Sequence, residues 1–349
     1  MYNDEDLELE HKMRRKKRSL ERKKKMRRRR IMFYTLCILL IIIIIKVIVS
    51  IGSSTKSKET AIKMTLPLWM TQQVIREENG HYDNSQAKHL TMNDKFFIAY
   101  DKATGIRKRL AKNSNHITAA NSYAYSAKTI REYIRGEKKY TGRDKIVFLT
   151  FDDGPTTNIT PQILDILEKN KVHATFFVVG KSIVPQHYSI LRRTIMEGNS
   201  IAIHSFSHDY HTLYPGKSAD ANKVIEEAKM TQNRLQKCFG KDFKSHVWRY
   251  PGGHMSWQNI DDADNALAKD GIEWIDWNCL TGDAERKAVR PTDTRGQVDY
   301  LDKSLNQNLH SDIAVVLMHD ATNKQLTADS LNSVIKYFKE HNYKFGVLK

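Results

Sequence analysis

The residues most able to do chemistry in this sequence stand in four places. An apolar run over 147–151 stops on two adjacent carboxylates, Asp152 and Asp153, and turns at once through Gly154-Pro155. His204 and His208 follow, then Arg249-Tyr250-Pro251-Gly252-Gly253, then His319 at the end of a second apolar run over 313–318. Neighbouring carboxylates repel, so a bound cation or a shared proton would stabilise the pair. Histidines four apart would share one side of a helical turn. With one acid they offer an oxygen and two nitrogens to a divalent cation, leaving positions open for water and substrate. Each piece alone also has an ordinary reading: Asp-Asp-Gly as a strand end and helix cap, a single histidine as a satisfied hydrogen-bonding group, the glycines as a turn. His81 and His116 stand isolated and read as surface side chains.

Taken in order, the four segments resemble the polysaccharide deacetylase family, also called the NodB-homology domain or carbohydrate esterase family 4. Thr150-Phe151-Asp152-Asp153-Gly154-Pro155 matches that family's opening motif letter for letter. His204-Ser205-Phe206-Ser207-His208 matches the second motif, Arg249 to Gly253 the third, and Leu317-Met318-His319 the fifth. The resemblance covers 144–349 and selects His208 over the nearby His211.

The resemblance implies Asp153, His204 and His208 as metal ligands and Asp152 as general base. Arg249 would pair with Asp152 and keep it ionised, and His319 would protonate the departing amine. The Tyr250 backbone N–H would join the metal in stabilising the oxyanion, with Pro251, Gly252 and Gly253 bringing backbone close to the substrate. Leu317 and Trp277 would form a small apolar slot for the acetyl methyl. The fourth motif departs from the family's commoner form, which ends in Asp-Trp. Counting from Trp277 puts the carboxylate that tunes His319 at Asp283, with Ala284 where a second Trp would stand; Asp276 is the alternative. An amide is a poor electrophile and water a poor nucleophile, and a divalent metal addresses both. Zinc suits one Asp and two His, while cobalt, nickel or manganese also fit such a site.

The elements that must position these groups alternate. Strand patterns fall over 145–151, 174–179, 200–204, 246–250, 272–277, 313–318 and 343–347. Helical patterns fall over 160–169, 183–197, 219–239, 260–269, 297–309 and 326–341, with a shorter one over 127–135. Alternation of this kind makes a parallel sheet covered by helices, here an α/β, distorted (β/α) barrel of about seven strands. Asp152, Asp153, His204, Arg249, Asp276 and His319 all fall at or just after strand ends, which share one face in such a barrel.

The 349 residues carry a formal net charge of +17, unevenly placed. Residues 12–30 hold fourteen Lys or Arg and one acid, Glu21, immediately before an apolar run over 31–51 broken only by Lys46. Twenty-one residues at ~1.5 Å each match a bilayer's ~30 Å hydrocarbon core. The expectation is an uncleaved transmembrane anchor, its basic tail (1–30) cytoplasmic by the positive-inside rule and in contact with anionic lipid rather than nucleic acid. Residues 52–143 would be an extracytoplasmic linker and small mixed region, including a strand-like stretch over 96–100, and 144–349 the catalytic domain. The three cysteines, Cys37, Cys238 and Cys279, form no CxxC; a Cys238–Cys279 pair is left open, and nothing fixes an oligomeric state.

The expected activity is therefore a membrane-bound, metal-dependent hydrolase acting on an acetylated glycan, first of all the N-acetylglucosamine of peptidoglycan. Such deacetylation would make the wall a poorer substrate for lysozyme. The alternatives are a deacetylase of N-acetylmuramic acid, of poly-N-acetylglucosamine or chitin oligomers, or of O-acetyl xylan, and a silent glycan-binding barrel.

Overall fold

The computed structural model describes residues 109–308 and 311–349. The apolar span at 31–51, its basic tail and the stretch at 96–100 lie outside them. Among the described residues no helix is long and apolar enough to cross a membrane.

The first elements are β1 (Ala124–Tyr125) and α1 (Ala127–Ile134), the latter capped by the Ser126 side chain, which accepts from Thr129 N. The apolar run then forms β2 (Lys145–Asp152), followed by α2 (Thr160–Asn170), β3 (Ala174–Val178), α3 (Tyr188–Met196) and β4 (Ser200–Ile203). The helix expected over 183–197 begins only at Tyr188. Pro185 has no N–H to continue a helix through it, so the chain makes short 3₁₀ turns at Gly180–Ser182 and Pro185–His187 first. A one-turn helix α4 (Tyr210–Leu213) and the long α5 (Ala221–Phe239) lead to β5 (Val247–Trp248), α6 (Asp261–Lys269) and β6 (Glu273–Trp274). Then come β7 (Cys279–Leu280), α7 (Thr294–Asn306), β8 (Ile313–His319), α8 (Gln325–Glu340), β9 (Tyr343–Phe345) and β10 (Val347–Leu348). The strand expected over 272–277 is reduced to the two residues of β6, and β7, beyond it, was not expected.

Seven parallel strands run in the order β6-β5-β4-β3-β2-β8-β7, with β9 paired to the start of β2. The α/β expectation holds in the form of a curled parallel sheet, a half-barrel whose end strands β6 and β7 are not paired with each other. Strand side chains alternate between two cores, as the pleat requires. Val147, Leu149 and Phe151 of β2 join Leu164 of α2, Val224 of α5 and Leu331 of α8 in the layer between sheet and helices. Ile146, Phe148, Phe177, Ala202, Val247, Ile313 and Val315 form the inner cluster.

Residues before the expected boundary at 143/144 contribute to that inner cluster. Ala127, Ile130 and Ile134 of α1 are buried in it together with Leu348 of β10. β1 pairs in parallel with β10, so the two ends of the described chain meet. His116, read from the sequence as a surface side chain, is buried and bonded to Asn115 and Asn121.

Candidate active site

Strand register assembles the first half of the site. Asp152 ends β2 and lies directly opposite His319, which ends β8. Adjacent strands stand about 4.8 Å apart and opposed residues point the same way, so these two side chains share the rim of the curl. Asp153 follows with φ of 80°, a left-handed conformation that turns its carboxylate away from the strand's alternation. Gly154 is required next: a side chain there would run into the buried carboxylate of Asp320.

The second half comes from β4 and β5. His204 follows β4, and its Nδ1 donates to the carbonyl oxygen of Arg249 at 2.9 Å, which leaves Nε2 to face the carboxylates. His204 Nε2 lies 3.7 Å from Asp153 Oδ1, and His208 Nε2 lies 3.3 Å from the same oxygen. One ligand atom each from Asp153, His204 and His208 falls within 4.8 Å of the others. Burial, with His208 nearby, lowers the His204 pKa to about 3, so its lone pair is available at neutral pH.

The His204–His208 segment is not the helical turn expected from its spacing. It is a loop with Ser205 at φ 59° and His208 at φ 54°. The imidazoles converge because the loop is tied down from outside. Glu227 of α5, buried, accepts from the backbone N–H groups of Phe206 (2.8 Å) and Ser207 (3.0 Å) and from the Ser207 hydroxyl (2.6 Å). Thr231 donates to Ser205 O, and Ser205 Oγ accepts from His208 N. Glu227 was not singled out in the sequence; the signal available was an acid on the inward face of an amphipathic helix.

Arg249 is fully buried and ties the end of β2 to the segment that follows β6. Its Nη1 donates to Asp152 Oδ1 at 2.9 Å and to Thr150 Oγ1 at 2.7 Å, while Nε and Nη2 donate to the carbonyls of Ile275 and Asp276. The guanidinium also lies 3.9 Å over the Phe177 ring. A charge taken out of water needs such saturation. Burial raises the Asp152 carboxyl above the usual carboxylate range, with Arg249 and His319 opposing it.

Between the two candidate partners of His319, geometry distinguishes sharply. Asp283 Oδ1 lies 2.9 Å from His319 Nδ1, and Asp283 Oδ2 accepts from His319 N and from the Thr327 hydroxyl. Burial by itself would lower the His319 pKa, but the Asp283 carboxylate outweighs it and the net direction is upward. For Asp283 burial acts upward, and the His319 and Lys324 charges carry it below its ordinary value. Asp276 instead accepts from the backbone N–H of His254.

The remaining predicted residues line the same rim with different parts of themselves. The Tyr250 side chain points into the outer core, its hydroxyl donating to Asp264 at 2.7 Å, so only its backbone faces the site. Pro251 O accepts from Trp257 Nε1. Gly252 has φ of 80°, and a Cβ there would sit 3.0 Å from the Trp257 ring. Trp277 packs at the edge of the inner cluster and against Gly253, and Leu317 points inward from β8 two residues before His319. His211 lies outside the cluster. Asp320, not anticipated, is buried below Gly154, accepts from the Thr160 hydroxyl at 2.5 Å, and is lifted by burial to about 7. No disulfide joins Cys238 and Cys279, both of which are buried.

Comparison with known proteins points the same way. The family model described as polysaccharide deacetylase matches residues 139–273. The chain is similar to the putative polysaccharide deacetylase YheN of Bacillus subtilis, 30% identical over 59% of this chain and 68% of that protein. It is 28% identical to the peptidoglycan-N-acetylglucosamine deacetylase PgdA of Listeria monocytogenes over 58% of this chain, but spans only 38% of that relative's length. Among solved structures, a Streptococcus mutans CE4 esterase superposes with a TM-score of 0.66 at 46% identity, covering 69% of this chain and 98% of that one. The catalytic domain of a peptidoglycan N-acetylglucosamine deacetylase from Eubacterium rectale superposes with a TM-score of 0.50 at 27% identity, covering 60% and 90%.

Proposed function

The chain belongs to the polysaccharide deacetylase family and carries that family's hydrolase domain, and from that premise we propose that it is a membrane-tethered, metal-dependent N-deacetylase of peptidoglycan N-acetylglucosamine. The observation that carries the chemistry is the clustering of Asp153, His204 and His208 beside Asp152, itself in register with His319. The sugar assignment leans on the Listeria and Eubacterium relatives, which are peptidoglycan N-acetylglucosamine deacetylases. The tether leans on the apolar run over 31–51 behind its basic tail, which would hold the domain against the envelope.

One carboxylate oxygen and two imidazole nitrogens within 4.8 Å fit a divalent cation. When bound, such an ion polarises the acetyl carbonyl and acidifies water. The chain's own groups supply the rest. Asp152, unligated and held by Arg249 at 2.9 Å, accepts the proton of the attacking water. The backbone after β5 presents an N–H at Tyr250 to the developing oxyanion. His319, oriented through Nδ1 by Asp283, delivers a proton from Nε2 to the amine as the C–N bond breaks. Leu317 and Trp277 border the acetyl methyl.

The test is mass spectrometry of peptidoglycan fragments incubated with the protein and with Asp153→Asn. Loss of about 42 Da per acetyl, the exchange of acetyl for hydrogen in hydrolysis, is expected on N-acetylglucosamine with the wild type only. Loss on N-acetylmuramic acid would move the protein to the specificity of another B. subtilis relative, the peptidoglycan-N-acetylmuramic acid deacetylase PdaC, to which it is 30% identical. No loss on either sugar would sink the peptidoglycan assignment and leave the other acetylated glycans as substrates.

A further inference from the structure

Asp320 follows His319 at the end of β8 and lies under the turn that carries Asp153. It meets that turn at three alternate residues. Its backbone N–H donates to Asp152 O at 3.0 Å. Its carboxylate lies against Gly154, whose N–H faces it and where a Cβ would strike both oxygens. Its carbonyl oxygen accepts from the Thr156 hydroxyl at 2.8 Å. Gly154 is held from a second strand as well, its carbonyl accepting from Val179 N at 2.9 Å. The carboxylate is braced in turn by the Thr160 hydroxyl, which donates to Oδ2 at 2.5 Å, while Thr160 Oγ1 accepts from Thr156 N at 2.8 Å. The residue this pattern skips is Asp153, which stands at φ 80° with its carboxylate turned toward His204 and His208.

We propose that Asp320 is a positioning residue: its side chain is the prop on which the 152–156 turn is folded, and it holds Asp153 in the backbone conformation that aims the carboxylate at His204 and His208. This rests on the metal reading for what Asp153 does once aimed, but not for the prop itself. A left-handed φ at an aspartate persists only where the surroundings over-determine it. Here the residues on both sides of Asp153 are pinned, and Asp320 pins both. The chemistry of the prop points the same way. Asp320 is 1% exposed and no cation pairs with it among the described residues, so an apolar side chain would fill the space at less cost. What an apolar side chain could not do is accept hydrogen bonds. Both groups that the carboxylate faces, Gly154 and Thr160, belong to the Asp153 turn and the helix that follows it.

Zinc titration of the full-length protein against a competing chelator, with amide hydrogen exchange of 152–156 in the zinc-free protein, tests this. Asp320→Ala should bind zinc about ten- to a hundredfold more weakly than wild type, the range for residues that orient metal ligands. Its 152–156 amides should exchange about tenfold faster or more, as for a segment that opens locally. Asp320→Asn keeps the shape and an acceptor oxygen for Thr160, and should stay within about threefold of wild type in both measurements. Thr160→Val leaves Asp320 in place without its brace and should move both readouts in the direction of the Ala variant; it carries the test should melting profiles show that Asp320→Ala does not fold. A folded Ala variant with wild-type zinc affinity overturns the proposal. So does an Asn variant as weak as Ala, which would assign the effect to charge near the ion instead of to the prop. A wild type that binds no zinc removes the metal reading alone, and the exchange rates then decide: faster exchange in Asp320→Ala keeps the prop, and equal rates overturn it.

Discussion

Each polar group at the rim has its state set by a neighbour, and His319 shows this most directly. The acid role proposed for it requires the protonated imidazole, and Asp283 favours that form from 2.9 Å away. Removing the charge in Asp283→Asn while keeping its shape withdraws the upward influence and leaves burial, which acts downward. The protonated fraction is lost as pH rises through the His319 pKa, so the alkaline limb of kcat/KM should move to lower pH in the variant. The rate below that limb should fall about a hundredfold or less, the range for a weakened general acid. A pH–rate profile checks both; an unshifted alkaline limb would assign the limb to another group. Asp276 serves as the internal control, since its carboxylate is committed to the His254 backbone.

At the scale of elements, the decisive relation is between α5 and the loop after β4. Three hydrogen bonds to one buried carboxylate hold Phe206 and Ser207, and thereby hold His204 and His208 on the same side although the loop is not helical. Glu227→Gln keeps the volume but replaces one acceptor oxygen by an N–H₂ that faces backbone donors. The imidazoles should then splay. Zinc affinity measured by competition with a chelator should drop by about ten- to a hundredfold, as for other residues that orient metal ligands, with thermal unfolding moved far less. An unchanged affinity would show that Ser205 and Thr231 suffice. The same logic explains why β6 stops at Trp274, short of the 277 that its apolar pattern suggests. The Ile275 and Asp276 carbonyls are taken by Arg249 instead of by a neighbouring strand, so the ladder is interrupted there.

For the domain as a whole, the unpaired edges β6 and β7 make the interior a matter of filling as well as of pairing. Ile130 of α1 is 1% exposed inside the curl. Ile130→Ala should cost about 2–4 kcal/mol through lost burial and a residual cavity, read from the denaturant midpoint at unchanged slope. A cost near zero would mean that α1 is an appendage of the domain and not part of its core.

The sequence by itself determined the alternation of strands and helices, the motif residues Asp152, Asp153, His204, His208, Arg249 and His319 that stand at strand ends, and the charged and apolar character of the first 51 residues. These are local properties: period-two and helical patterns, a strand ending on acids, and motifs a few residues long. Even the choice of Asp283 over Asp276 was available as a count from Trp277, though only as one of two options. Tertiary structure alone decided what depends on distance through space. It set Asp152 opposite His319 by parallel register, and it sent the Arg249 guanidinium back across the curl to Asp152. It recruited Glu227 and Asp320 from parts of the chain carrying no motif, and it made 109–134 part of the same core as the catalytic strands. None of these relations leaves a mark on neighbouring residues, because the energies that fix them, burial of charge with its partner and filling of a common interior, act between segments far apart in the chain.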